Sequence, residues 1–81
     1  MFYDLLKKGC KILITDKTGH FCPALFWLQD GEILVYNDEL GTCQNREFTQ
    51  DPAKLAAHIE KMLFEYGHTV EIRPPHKTPK R

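Results

Sequence analysis

The dipeptide Asp30-Gly31 lies between two apolar runs and constrains the fold of this chain more than any other feature of its sequence. Aspartate followed by glycine favours a two-residue type I′ turn, because both positions of that turn need a positive φ. We therefore predict that residues 20–29 and 32–37 form two antiparallel strands joined by this turn. A turn of two residues leaves a single register, which assigns every side chain of the hairpin to one face of a sheet.

The two faces of the hairpin differ in chemistry. One face carries aliphatic side chains and a phenylalanine: Ala24, Phe26, Leu28, Ile33 and Val35. The other face carries two large rings, two leucines and a polar rim: Leu25, Trp27, Leu34, Tyr36, Gln29 and Glu32. We predict that a helix covers the first face, because none of its side chains has a polar group. The Trp27 face is then exposed, or is covered only by a short N-terminal helix.

Terminus signals and periodicity place the other elements around the hairpin. Asp51 and Pro52 favour the start of a helix and Gly67 favours its end, with a core stripe of apolar residues. The stripe is Leu55, Ile59, Met62, Leu63 and Tyr66. The predicted order is a helix over residues 2–8, a strand over 10–15, the hairpin, a weaker strand over 43–48, the long helix and a strand over 68–73.

This order predicts an α+β fold of two layers. An antiparallel sheet of four to five strands, in the order α-β-β-β-(β)-α-β, would carry the one long helix on one face, since each amphipathic element must bury its apolar side. We predict one compact domain over residues 1–75 and a basic, disordered tail over residues 76–81. No apolar run approaches the roughly 18 residues that cross a membrane, and the first residues do not resemble a signal peptide. We therefore expect a cytoplasmic protein without membrane contact.

The charges of the chain balance as a whole and segregate locally. Eleven Lys and Arg oppose eleven Asp and Glu, which argues against a nucleic-acid partner. Between residues 18 and 45 the only formal charges are four carboxylates: Asp30, Glu32, Asp38 and Glu39. These acidic tips of the hairpin would attract a protein with a basic surface.

The rings of the hairpin are the strongest indication of function. Trp and Tyr combine a large contact area with a polar tip and are enriched at protein interfaces. We predict a small non-enzymatic module that regulates or inhibits a larger, nucleic-acid-handling protein, as many small proteins of phages and mobile elements do. The predicted partner-binding residues are Leu25, Trp27, Asp30, Glu32, Leu34, Tyr36, Asp38 and Glu39. The alternatives are that the Trp27 face is core under the first helix, that it is a surface at which the protein binds a second copy of itself, or that it forms a small-molecule pocket.

A second surface is predicted on the far side of the long helix. Ala53, Ala57 and Phe64 fall there at helical spacing, where a phenylalanine flanked by alanines would suit helix pairing across a two-fold axis. A homodimeric structural or assembly protein is therefore an alternative. A long helix that is packed on both sides would explain the same residues.

The cysteines and histidines are the candidate metal ligands and nucleophiles of this chain. These residues are Cys10, Cys22, Cys43, His20, His58, His68 and His76. They lack the close pairs from which zinc sites draw their ligands, and an odd number of cysteines without regular spacing favours free thiols. A Cys22 or Cys43 nucleophile would need a histidine base close to it in the fold. We predict no metal site, no cofactor and no catalytic residue.

The segment LLKKG, a strand and the triplet TGH ending at His20 resemble small RNA-cleaving toxins, and a helix, three strands and a helix is also the order of double-stranded-RNA-binding modules. The resemblance covers about 20 residues of the N-terminal part. It implies an RNA-binding or RNA-cleaving module in which His20 is the catalytic group. Four lysines would then contact phosphate: Lys7, Lys8, Lys11 and Lys17.

Overall fold

The computed structural model describes residues 2–75 and shows an α+β fold in which helices pack on a five-stranded antiparallel sheet. The order of the strands across the sheet is β4-β3-β2-β1-β5. The elements are α1 (Phe2–Lys7), β1 (Lys11–Thr15), β2 (Ala24–Gln29), β3 (Glu32–Asn37), β4 (Gly41–Gln44), α2 (Arg46–Gln50), α3 (Pro52–Phe64) and β5 (Thr69–Arg73). The basic tail predicted over residues 76–81 lies outside the described residues. Within residues 2–75, no helix has the length and apolar character needed to cross a membrane.

The predicted hairpin is confirmed in type and in register. Asp30 has φ of 53° and Gly31 has φ of 79°, which are the positive values that a type I′ turn requires. Trp27 pairs with Leu34 and Gln29 pairs with Glu32. The chemistry of two turn residues therefore determines which side chains of β2 and β3 share a face.

Strand β2 begins later than predicted, and its first four predicted residues belong to a loop. Asp16 organises this loop, because its Oδ1 accepts hydrogen bonds from the backbone N–H and the hydroxyl of Thr18, at 2.8 and 2.7 Å. Its Oδ2 accepts a hydrogen bond from the N–H of Phe21 at 3.1 Å. Pro23 has no N–H for a ladder, so regular pairing starts only at the next residue.

The strand predicted over residues 43–48 is wrong in its second half. Strand β4 ends at Gln44, and Asn45 then caps helix α2 by accepting a hydrogen bond from the N–H of Phe48 at 2.9 Å. The hydroxyl of Thr49 accepts a hydrogen bond from the N–H of Ile33 at 2.9 Å, so α2 satisfies a donor of β3 beyond the end of β4. The short helix also brings Phe48 into the core.

The core lies on one face of the sheet, and all three helices of residues 2–75 contribute to it. Its buried apolar members are Leu6, Ile12, Ile14, Phe26, Ile33, Phe48, Leu55 and Ile59. The predicted placement of the long helix over the Phe26 face is confirmed. Helix α1 lies on that same face and contacts α3, β1 and β2.

The core stripe of α3 is shorter than predicted. Leu55 and Ile59 are fully buried and Met62 is half-buried, but Leu63 and Tyr66 are exposed. The helix ends at Phe64, and Asp51 precedes it without a side-chain capping hydrogen bond. The N–H of His68 then donates to the carbonyl of Met62 at 2.9 Å, while Gly67, at φ 68°, turns the chain towards β5. The last residues of α3, Leu63 and Phe64, are thus exposed and lie outside the core.

Candidate functional site

The second face of the sheet, hereafter the open face, has no helix over it within residues 2–75. Helix α1 packs against α3 on the opposite face, so it does not cover Trp27. Trp27 is half-buried only by its neighbours in the sheet, and Tyr36 is exposed. The interpretation of these rings as core under α1 is therefore wrong.

The centre of the open face is an apolar strip that crosses three strands. Its members are Leu13, Leu25, Trp27, Leu34 and Tyr36, joined by cross-strand pairs. Leu13 pairs with Leu25, and Leu25 pairs in turn with Tyr36. Sequence reasoning missed Leu13, although it alternates with Ile12 and Ile14 in β1 and so must point away from the core.

The two rings of the apolar strip are held in place by polar contacts. The indole N–H of Trp27 donates to Oε1 of Gln29 at 3.2 Å, and Lys11 Nζ lies 5.7 Å from the centre of the Trp27 ring system. The hydroxyl of Tyr36 donates to Oδ1 of Asp38 at 3.2 Å. This hydrogen bond, with the Asp38 charge, raises the pKa of the Tyr36 hydroxyl above its usual value. Both rings are therefore oriented before any partner arrives.

The four predicted acidic residues do not form one cluster. Asp30 and Glu32 lie at one end of β3, while Asp38 and Glu39 lie in the turn that follows its other end. The six residues of β3 separate the two acidic groups by roughly 20 Å. Glu32 also accepts a hydrogen bond from Gln44 Nε2 at 2.9 Å. The apolar strip is thus bordered by negative charge at both ends.

The residues predicted for dimerisation lie together on the outer side of α3. Ala53 and Ala57 are exposed, and Phe64 is 77% exposed. The inner side of the helix carries the buried Leu55 and Ile59. The interpretation of α3 as a helix packed on both sides is therefore wrong for the described chain.

The cysteines and histidines are distributed over several elements. Cys10 is buried, Cys22 and Cys43 are exposed, and all three are free thiols. Among residues 2–75 there is no group of three or more side chains that could hold a metal ion. Two of the histidines have defined polar neighbours: His20 Nδ1 lies 3.0 Å from the hydroxyl of Thr18, and His68 Nδ1 lies 3.6 Å from Asp16 Oδ1. His76 lies outside the described residues.

The features that resemble RNA-cleaving proteins are only partly reproduced. His20 lies in the loop before β2 rather than in a strand. Four strands and two consecutive helices follow α1, where the resemblance implies three strands and one helix. The lysines occupy different elements: Lys7 ends α1, Lys11 begins β1 and contacts Trp27, and Lys17 lies in the loop after β1.

His58 gives the protein a predicted dependence on pH. Its ring packs against Phe48 and Phe26 at centroid distances of 5.3 and 6.1 Å, and burial lowers its pKa below the ordinary 6.5. The unfolded chain therefore binds more protons than the folded chain as the pH falls through 6.5. We expect the free energy of unfolding to decrease below that pH and to remain level above it. Urea titrations over this range measure the effect, and His58→Gln should flatten the profile, whereas a wild-type slope in that variant would contradict this assignment.

The candidate site is thus the open face, with its apolar strip, its two oriented rings and its acidic borders. Five of the eight predicted partner-binding residues lie on this face, and the other three lie in the turns at its ends. A scan against protein-family models, a search of curated proteins and a search of solved structures found no match to this chain.

Proposed function

We propose that this protein is a non-enzymatic binding module that attaches to a larger protein through the open face and regulates or inhibits it. The observation that carries this proposal is the uncovered apolar strip with Trp27 and Tyr36 at its centre. Aromatic side chains of this kind dominate the binding energy of protein interfaces. The free thiols favour action in the cytoplasm, where cysteines remain reduced.

The fixed orientation of the rings supports an interface. A side chain that is already ordered loses little rotamer freedom when a partner covers it, so less of the interaction energy is offset by ordering. Trp27 is held through Gln29, and Tyr36 is held through Asp38. Both hydrogen bonds lie at the surface, and Lys11 Nζ also lies over the Trp27 ring, 5.7 Å from its centre.

The charges at the borders favour a basic partner. Within residues 2–75, none of the four border carboxylates is in an ion pair with Lys, Arg or His. Their charge is therefore available to a partner, and complementary charge increases the rate of encounter. A protein that handles nucleic acid is a fitting class of partner, because its binding surface is basic.

The test is capture of a partner by three immobilised proteins: the wild type, Trp27→Ala and Phe64→Ala. Phe64→Ala is the matched control, since it also removes an exposed aromatic ring, but from the opposite side of the molecule. We expect wild type and Phe64→Ala to retain the same protein and Trp27→Ala to lose it. Titration of the purified partner should show binding weakened by about thirtyfold or more in Trp27→Ala, as expected for a hot-spot residue.

The contrary outcomes are equally specific. Equal affinity of Trp27→Ala and wild type for the captured protein would remove the open face as the binding surface. Loss of affinity only in Phe64→Ala would show that the binding surface is the outer side of α3. Circular dichroism must first show that Trp27→Ala is folded, so that a loss of partner binding is not caused by unfolding.

Self-association is the second candidate, and the exposure of Phe64 beside two alanines favours it. An isologous helix pair would bury this ring in each of two copies. Sedimentation of wild type and Phe64→Ala over a dilution series separates this function from the first. A dimer that is lost only in Phe64→Ala supports pairing through α3, and a monomeric wild type at all concentrations removes it.

A further inference from the structure

A cleft of about 610 Å³ opens between the loop after β1 and the end of α3. Tyr66, which follows α3, is 52% exposed, and Met62 near the end of α3 is half-buried, so both side chains contribute to the cleft. Ile14 of β1 belongs to its lining, which places the cleft on the helix side of the sheet, away from the open face. Its volume is within the range of about 300–1,000 Å³ that is usual for small-molecule sites.

The walls of the cleft are mainly aromatic and apolar. Phe21 lines one wall and is 74% exposed, while Met62 and Tyr66 line the other. The ring of His68 stacks on Tyr66 with a centroid distance of 5.6 Å and an angle of 26° between the planes. Such walls suit the apolar body of a ligand, and their ring faces carry the negative partial charge that attracts cations.

The formal charge that lines the cleft is negative. Among the lining residues that the structure describes, Asp16 is the only carboxylate and none is Lys or Arg. Its side chain is almost fully buried, and hydrogen bonds from Thr18 lower the pKa of this carboxyl group, so it is ionised at neutral pH. A buried charge is weakly screened, so its field reaches a ligand in the cleft.

His68 connects the carboxylate to the aromatic wall. Its Nδ1 is buried, lies 3.6 Å from Asp16 Oδ1 and has no hydrogen-bond partner within residues 2–75. Lys61 Nζ lies 5.9 Å from the centre of the Tyr66 ring, so a ligand cation at this ring would take the place of the Lys61 ammonium group.

We propose that this cleft binds a small organic ammonium ion with an apolar body. The aromatic walls would take the body and the methylene or methyl groups next to nitrogen, and the ring faces together with Asp16 would stabilise the positive charge. An anion of the same shape would be repelled by Asp16, and a neutral molecule would gain only the apolar contact. The site is independent of the proposed partner surface, because the two lie on opposite faces of the sheet.

The full chain is titrated separately with benzyltrimethylammonium, benzyl alcohol and phenylacetate. Calorimetry and the NMR signals of residues that line the cleft measure the binding of each ligand. At about pH 8 histidine side chains are ordinarily neutral, so the comparison then tests the carboxylate and the rings. We expect the cation to bind with a dissociation constant on the order of 1 mM or tighter, as its size allows. It should bind about tenfold more tightly than the alcohol, and phenylacetate should bind weakest.

Substitutions of lining residues test whether the ligand binds in the cleft. Tyr66→Ala should abolish the preference for the cation, whereas Phe64→Ala, two residues earlier and outside the cleft lining, should keep it. Asp16→Asn keeps one acceptor oxygen for Thr18, loses the acceptor for the N–H of Phe21 and removes the charge. We expect the preference for the cation over the alcohol to fall to the value that the rings alone provide. The three-ligand comparison on the wild type stands by itself if Asp16→Asn does not fold.

The results that would overturn the proposal are defined in the same series. Equal affinity for benzyltrimethylammonium and benzyl alcohol would make the cleft an apolar site without charge selection. Absence of binding, or binding that Tyr66→Ala leaves intact, would show that the cleft is not a ligand site. Competition between a lysine-containing peptide and benzyltrimethylammonium for the cleft would show that the cleft recognises the ammonium group of a protein side chain rather than a free amine.

Discussion

Phe26→Ala is expected to lower the free energy of unfolding by about 3–5 kcal/mol. Phe26 is 4% exposed, and its ring packs against Phe48 and His58, each with a centroid distance of 6.1 Å. Truncation would remove these contacts and leave a cavity at the centre of the core. A chain of this size has a total stability of about 4–12 kcal/mol, so the variant should be close to unfolding at room temperature.

The next residue along β2 provides the matched control for this prediction. Trp27 points to the open face, and Trp27→Ala should cost about 1 kcal/mol or less, because it removes partly exposed contacts and leaves no buried cavity. Urea unfolding followed by circular dichroism measures both variants without relying on the single tryptophan. Equal losses for Phe26→Ala and Trp27→Ala would contradict the arrangement with one covered face and one open face.

Phe48→Ala is expected to produce a loss of similar size, about 3–5 kcal/mol. Phe48 is buried on α2, between Phe26 and His58, and is the main apolar contact of this short helix with the core. Glu47→Ala, at the neighbouring exposed position of α2, should change stability by no more than about 0.5 kcal/mol. A small loss for Phe48→Ala would contradict the burial of Phe48 in the core.

The milder variant Phe48→Leu provides a second readout, since it should remain folded. Burial lowers the pKa of His58, and Phe48 forms part of the cover over its ring. A smaller side chain admits water, so the pKa of His58 should move up towards its ordinary value. NMR titration of the His58 ring measures this change, and an unaltered pKa would show that other groups bury the ring.

The hairpin was predictable because its information is local. Asp30 and Gly31 determine the turn, and strict alternation along β2 and β3 then assigns Leu25, Trp27 and Tyr36 to one face. The prediction that the long helix covers the Phe26 face rested on chemistry alone, and it is confirmed. These parts of the fold and of the candidate site depend on neighbours in sequence or on the register of one turn.

The errors occurred where a polar side chain organises the backbone a few residues along the chain. Residues 45–48 belong to the weak strand predicted over residues 43–48, but Asn45 caps a helix and the core receives Phe48. Residues 20–23 were assigned to β2, but the side chain of Asp16 holds them in a loop. In both cases hydrogen bonds to a nearby side chain outweigh a weak strand preference, and at residues 45–48 the burial of Phe48 adds to them.

The sequence by itself determined the class of fold, the register of the hairpin and the chemistry of its two faces, because turn geometry and alternation act over a few residues. Only the tertiary structure decided that α1 joins α3 on the covered face, which leaves Trp27 uncovered, and that Leu13 completes the apolar strip. It also decided that the end of α3 and the residues after it face the loop after β1 across a cleft lined by Asp16. Such features arise from how separate elements share one small core, and that packing is a property of the whole chain rather than of any segment.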